Sequence, residues 1–188
     1  MPVDARSRTA FADASATPFW LDRADRPAAR PPLEGGRTAD LAIVGGGFTG
    51  LWAAVQALED LPGREVVVVD AERIAFGATG RNGGFCDASL THGLENGRSR
   101  FPGEIERIEQ EGRENFEAIA DTIVRHGIDC SWEPTGTLIA ATAPYAVPWC
   151  AGAVESLTAF GYDAEVLDRD AVRAEVDSPT YLAGFWKR

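Results

Sequence analysis

Hydrophobic positions change period twice between residues 40 and 70. Leu41-Ala42-Ile43-Val44 is a continuous apolar run, as a strand buried on both faces requires. Leu51, Ala54, Val55 and Leu58 then recur at helical spacing and form one apolar face. Val66 to Val69 is continuous and β-branched, and an acid, Asp70, ends it. Strand, helix and strand in that order predict a βαβ unit with two parallel strands. A longer helix is predicted over 102–126, where Phe116, Ile119, Ala120, Ile123 and Val124 share a face and Gly127 stands at the stop. Gly112 predicts a break near its middle. Glu104, Glu106, Glu109, Glu111, Glu114 and Glu117 read as its solvated face. Farther on, Ile128, Cys130 and Trp132 alternate as in a strand, and 136–142 makes another. A helix over 145–160 closed by Gly161, a strand at Val166-Leu167-Asp168, a short helix over 170–175 and an apolar strand start at 181–186 complete the pattern.

Residues 1–37 break this periodicity. They are rich in Ala, Arg, Asp and Pro, and Pro27, Pro31 and Pro32 exclude a helix. The segment reads as an extended arm, with Phe19-Trp20-Leu21 as the cluster that tacks it onto a domain surface.

Two glycine-rich stretches sit at the ends of the predicted strands. Gly45, Gly47 and Gly50 fall at G-x-G-x-x-G spacing directly between strand and helix. The first glycine permits a tight turn, the second lets a pyrophosphate approach the backbone, and the third lets the helix pack close to the sheet. The helix N-terminus then offers free N–H groups to the anion. Asp70 follows about 20 residues on, where a carboxylate accepts hydrogen bonds from ribose hydroxyls. The glycine spacing alone is weak evidence; strand, turn, helix, second strand and acid in order make a dinucleotide site. The second stretch, Gly77-Ala78-Thr79-Gly80-Arg81-Asn82-Gly83-Gly84, leaves the second strand at the same carboxyl edge, where ligands bind in open α/β sheets. Its successive backbone N–H groups suit a second anion cradle. Arg81 reads equally as a structural loop residue, and Asn82 also suits an Asx turn.

Composition narrows the function classes. The 188 residues carry 18 Lys and Arg against 29 Asp and Glu, a net charge of −11. That acidity argues against nucleic acid as a partner. No apolar run has the length of a membrane-spanning helix. Asp4, Arg6 and Arg8 leave no apolar core for a secretory signal, so a cytoplasmic location is expected. Cys86, Cys130 and Cys150 form no C-x-x-C, and with only His92 and His126 no metal site is expected. Cys86 reads as a buried, inert thiol.

The run 39–51, followed by Asp70-Ala71-Glu72-Arg73 and by Gly77 to Gly84, resembles the FAD-binding start of the D-amino-acid oxidase-like flavoproteins. Within them it is most similar to the gamma-glutamylputrescine oxidase branch, related to glycine and sarcosine oxidases. The Phe19-Trp20-Leu21-Asp22 arm is similar too. The resemblance is specific over about residues 19–86 and looser beyond. It implies FAD as cofactor, with Asp70 and Arg73 at the adenosine and Ala78, Thr79, Asn82 and Gly83 at the pyrophosphate and flavin. Gly45, Gly47, Phe48, Thr49, Gly50, Ala71 and Gly80 complete the candidate cofactor set. The family more often has Glu where Asp70 stands. The implied reaction moves hydride from the carbon bearing a substrate nitrogen to the flavin, with dioxygen as final acceptor.

The expected fold is therefore α/β: a Rossmann-type FAD-binding βαβ domain followed by the start of a second α+β substrate domain, truncated. Residues 1–38 are the arm, 39–127 the FAD-binding part and 128–188 the beginning of the substrate domain. Family members run to roughly twice this length, a usual size for two domains. The expectation is an N-terminal portion whose catalytic and substrate-binding residues lie elsewhere, completed by a C-terminal half or a second chain. Alone it should bind FAD weakly and turn nothing over. The substrate would be a small amine or amino acid. Two other readings remain open: an NAD-dependent dehydrogenase domain, which Asp70 also suits, and a non-catalytic nucleotide-binding subunit of a flavoprotein complex.

Overall fold

A computed structural model describes residues 12–15 and 17–188. The expectations for residues 1–11 and 16, including the missing secretory signal, lie outside the described residues. The chain forms two compact units, one up to Phe85 and one from Cys86 to Arg188.

In the first unit, strand β1 (Leu41–Val44), helix α1 (Phe48–Asp60) and strand β2 (Val66–Val69) form the βαβ unit. β1 and β2 pair in parallel, Leu41 opposite Val66 through Val44 opposite Val69. Asp40 fastens the start of the pair: its N–H donates to the Glu65 carbonyl and its Oδ2 accepts from the Glu65 N–H at 2.8 Å. α1 begins at Phe48, three residues before the apolar period, because Gly47 ends the turn there. β1 is not buried on both faces as its composition predicts. Leu41 and Ile43 are half-buried, while Val44 is 87% exposed. α1 packs against both strands and covers one side of the pair. The arm before β1 has one regular turn, a 3₁₀ helix over Phe19–Leu21.

The second unit holds helices α2 (Leu94–Arg100), α3 (Ile105–His126), α4 (Val147–Ala159) and α5 (Arg169–Glu175). Strands β3 (Thr137–Ala141), β4 (Ala164–Leu167) and β5 (Ala183–Lys187) form an antiparallel sheet in the order β3-β5-β4. Ala141, Cys150, Ala153, Ala183 and Phe185 make its core, where α4 lies on the sheet. Asp168 caps α5 by accepting from the Ala171 N–H at 2.8 Å. α3 belongs to this unit, whereas the sequence groups it with the cofactor domain.

Four expectations are corrected here. α3 runs unbroken through Gly112, which is glycine because a Cβ there would lie 1.9 Å from the Ala88 carbonyl oxygen. Ile128, Cys130 and Trp132 form no strand: Ser131 takes φ 53°, a left-handed turn that ends extension, and Trp132 packs its ring on Phe116 at 5.3 Å. Cys86 is exposed, in an irregular stretch, although desolvation and then Asp87 push its thiol up. Glu109 leaves the solvated face of α3. It is 2% exposed, and its Oε2 accepts from the Tyr162 hydroxyl at 2.5 Å.

That pair carries a pH dependence. Burial first, then Glu109, pushes the Tyr162 hydroxyl up to about 12, while Arg113 beside the ring opposes the shift. A raised folded value stabilises the fold below the ordinary 10.0 and loses that contribution as pH climbs toward 12. Tyr162→Phe is expected to cost about 2 kcal/mol at neutral pH by leaving Glu109 short of a donor. It should also flatten the fall in stability between about pH 10 and pH 12. Urea unfolding of both chains at pH 7, 10 and 12 checks both points, and a parallel fall in the two chains would contradict them.

Candidate functional site

The site grows from the turn after β1. Gly45 takes φ +105°, and its N–H donates to the Val69 carbonyl at 2.7 Å, so the chain leaves β1 while still tied to β2. Gly47 is extended and caps α1 with backbone alone. Gly50 lies in the first turn of α1, where a Cβ would fall 2.0 Å from the Gly45 carbonyl oxygen and 3.2 Å from Ile43 Cγ2. A Cβ on Gly47 would meet Thr79 Oγ1 at 3.1 Å. The glycines therefore bring strand, helix N-terminus and second loop together.

Asp70 acts on the turn itself. Its Oδ2 accepts from the Gly46 N–H at 2.6 Å and its Oδ1 from the Glu72 N–H at 2.9 Å. These bonds, Gly46 first, hold its carboxyl below the ordinary 3.8, so it is ionised at neutral pH. Each oxygen keeps a further lone pair for another donor, and the residue is exposed.

The second glycine-rich loop folds over a 3₁₀ turn at Ala78–Gly80. Thr79 Oγ1 accepts from the Phe48 N–H at 3.0 Å, joining the loop to the start of α1. Asn82 Nδ2 donates to the Thr79 carbonyl at 2.5 Å, and Asn82 Oδ1 accepts from the Gly84 N–H at 2.8 Å, the local bond of an Asx turn. Arg81 serves the loop: its Nε donates to the Phe76 carbonyl and its guanidinium lies 5.1 Å from the centre of the Phe76 ring.

Between these parts opens a cleft of about 570 Å³. Gly45, Gly47, Phe48, Thr49, Gly50, Ala78, Thr79 and Asn82 line it, all candidates from the sequence. Ile43, Val44 and Ala53 line it as well, outside the candidates that the sequence offers. Ala53 was within reach of pattern, since it follows Gly50 by one helical turn as a second small residue. Asp70, Ala71, Arg73, Gly80 and Gly83 lie outside the lining. Gly80 is buried beneath Leu21, and Arg73 Nη2 donates to the Pro27 carbonyl at 2.8 Å. The cleft fits a dinucleotide: backbone free of Cβ atoms meets the N-terminus of a thirteen-residue helix. Its size lies within the range of about 300–1,000 Å³ usual for small-molecule sites.

Among the described residues, no helix is long and apolar enough to cross a membrane. The family described as FAD dependent oxidoreductase (DAO) matches residues 40–188. Gamma-glutamylputrescine oxidoreductase of Escherichia coli K12 is 34% identical over 146 residues, covering 77% of this chain and 34% of the relative. A probable oxidoreductase OrdL of Haemophilus influenzae is 25% identical over 174 residues, covering 89% of this chain and 39% of the relative. Glycine oxidase from Bacillus cereus superposes with a TM-score of 0.50 at 19% identity, over 79% of this chain and 38% of that one, a likeness of fold alone. The matched stretches thus cover only 34–39% of the length of these relatives. Glycine turn, acid-ended second strand and matched family converge: this chain belongs to the DAO family of FAD-dependent oxidoreductases.

Proposed function

We propose that this chain is the FAD-binding N-terminal portion of an enzyme that oxidises the carbon–nitrogen bond of a small amine or amino acid, with dioxygen as electron acceptor. The observation that carries the reading is the cleft in which the Gly45–Gly50 turn and the Gly77–Gly84 loop meet through the Thr79–Phe48 hydrogen bond. The name of one relative, a gamma-glutamylputrescine oxidoreductase, supports the substrate class. A second chain or a C-terminal half supplies the substrate-binding residues. The NAD reading gives way to FAD with the family.

When bound, FAD supplies the two-electron oxidation of the substrate. The residues of this chain bind and orient it. Gly47 and the first-turn N–H groups of α1 beyond Phe48, whose N–H Thr79 holds, receive the pyrophosphate, where the helix dipole favours negative charge. Asp70 offers its remaining lone pairs to ribose hydroxyls while it fixes the Gly46 amide. Arg73 and Ala71 flank the adenosine side, and Ala78, Thr79, Gly80, Asn82 and Gly83 shape the loop on the pyrophosphate and flavin side.

The test is an equilibrium titration of the chain with FAD, followed by quenching of flavin fluorescence. Asp70→Asn keeps the size and removes the charge, and is expected to weaken FAD binding by about tenfold or more. Asp70→Glu, the residue more usual in the family, should stay within about threefold of the parent. Equal affinities for parent and Asp70→Asn would remove Asp70 from the site.

A further inference from the structure

The arm before β1 lies outside the stretch matched to the family, yet it holds both the second glycine-rich loop and the segment that leads into it. Trp20 Nε1–H donates to the Asn82 carbonyl at 2.9 Å. Its indole lies against Gly84, where a Cβ would come within 2.4 Å of the ring. Leu21 packs on Gly80, 2.9 Å from a Cβ built there. Just before the loop, Arg26 Nη2 donates to the Ile74 carbonyl at 2.8 Å, and Arg73 Nη2 reaches back to the Pro27 carbonyl at 2.8 Å. Asn82 and Thr79 carry the grip inward. Asn82 holds the Thr79 carbonyl, and Thr79 holds the Phe48 N–H. A chain of hydrogen bonds therefore runs from the indole to the first turn of α1.

We propose that residues 18–27 are a clamp that sets the shape of the Gly77–Gly84 loop before FAD arrives, with Trp20 as its positioning residue. This rests on the assignment of that loop to FAD. Trp20 does not line the cleft and acts through Asn82. A loop this rich in glycine loses much conformational freedom when it is ordered. Ordering it in advance removes that cost from the binding step.

Trp20→Phe tests the clamp, because it keeps a ring against Gly84 and deletes the N–H. Amide hydrogen exchange of the full chain without cofactor is compared with FAD affinity from flavin fluorescence. Exchange over 77–84 is expected to speed up about tenfold, with β1 and β2 unchanged, and the FAD dissociation constant to rise about fivefold. Arg26→Gln, which cuts the other tie, should give the same local pattern. Exchange that rises equally in β1 and β2 would mark Trp20 as a general anchor and overturn the proposal, as would parental exchange and affinity in Trp20→Phe. A parent chain that binds no FAD, with the local exchange change intact, would overturn the cofactor assignment and leave the clamp on the loop standing. The two failures are thereby distinguished.

Discussion

Replacing Gly50 with alanine is expected to abolish FAD binding and to destabilise the βαβ unit by about 2 kcal/mol. Helix propensity alone predicts the opposite, since alanine in a helix is favoured over glycine by about 1 kcal/mol. Packing decides the sign. The new methyl would stand 2.0 Å from the Gly45 carbonyl oxygen and 3.2 Å from the Gly45 carbonyl carbon. Both are backbone atoms, so no rotamer change relieves the overlap. Either α1 moves away from β1 or the Gly45 turn opens, and each outcome dismantles the side of the cleft proposed for the pyrophosphate. Strain of this kind costs about 3 kcal/mol, more than propensity returns. Gly36→Ala is the control, because a Cβ there meets nothing within 4 Å and its φ is ordinary. Thermal unfolding and FAD titration of both variants check the expectation. A Gly50→Ala chain that melts and binds like its parent would show that the turn is looser than described.

The second large effect concerns Gly112, and again the sign separates packing from propensity. Gly112→Ala is expected to destabilise the second unit by about 2 kcal/mol. Its methyl would lie 1.9 Å from the Ala88 carbonyl oxygen, another backbone atom. Gly112 thus lets the segment before α2 lie directly on α3. Gly152→Ala in α4 makes the contrast, since a Cβ there meets nothing within 4 Å. That change should stabilise by about 0.5–1 kcal/mol. Denaturant unfolding of the two variants beside the parent reads both signs at once. Stabilisation by both substitutions would mean that α3 is not packed on Ala88.

These two glycines show where a sequence stops being readable. The βαβ unit was legible because its signals are local: the period of β1, α1 and β2, and glycines whose spacing follows from covalent geometry. Most of the cleft lining came with them: Gly45, Gly47 to Gly50, Ala78, Thr79 and Asn82. Gly112 read as a weak point in α3 because its partner, Ala88, lies outside any helical window. Glu109 read as a surface acid because its partner, Tyr162, stands 53 residues away. The alternation of Ile128, Cys130 and Trp132 imitated a strand, and only the left-handed Ser131 shows otherwise. α2 went unseen because Asn96, Gly97 and Ser99 are poor helix formers with no apolar period. Trp20 was legible as an anchor, but not its bond to Asn82 across 62 residues.

The proposed FAD site is the cleft between the Gly45–Gly50 turn and the Gly77–Gly84 loop. Its most direct test is a visible absorption titration of the chain with FAD, run in parallel on Gly50→Ala and Gly36→Ala. A saturable shift of the flavin bands at one FAD per chain is expected, kept in Gly36→Ala and absent in Gly50→Ala. No saturable shift in the parent, or the same shift in all three chains, would contradict it.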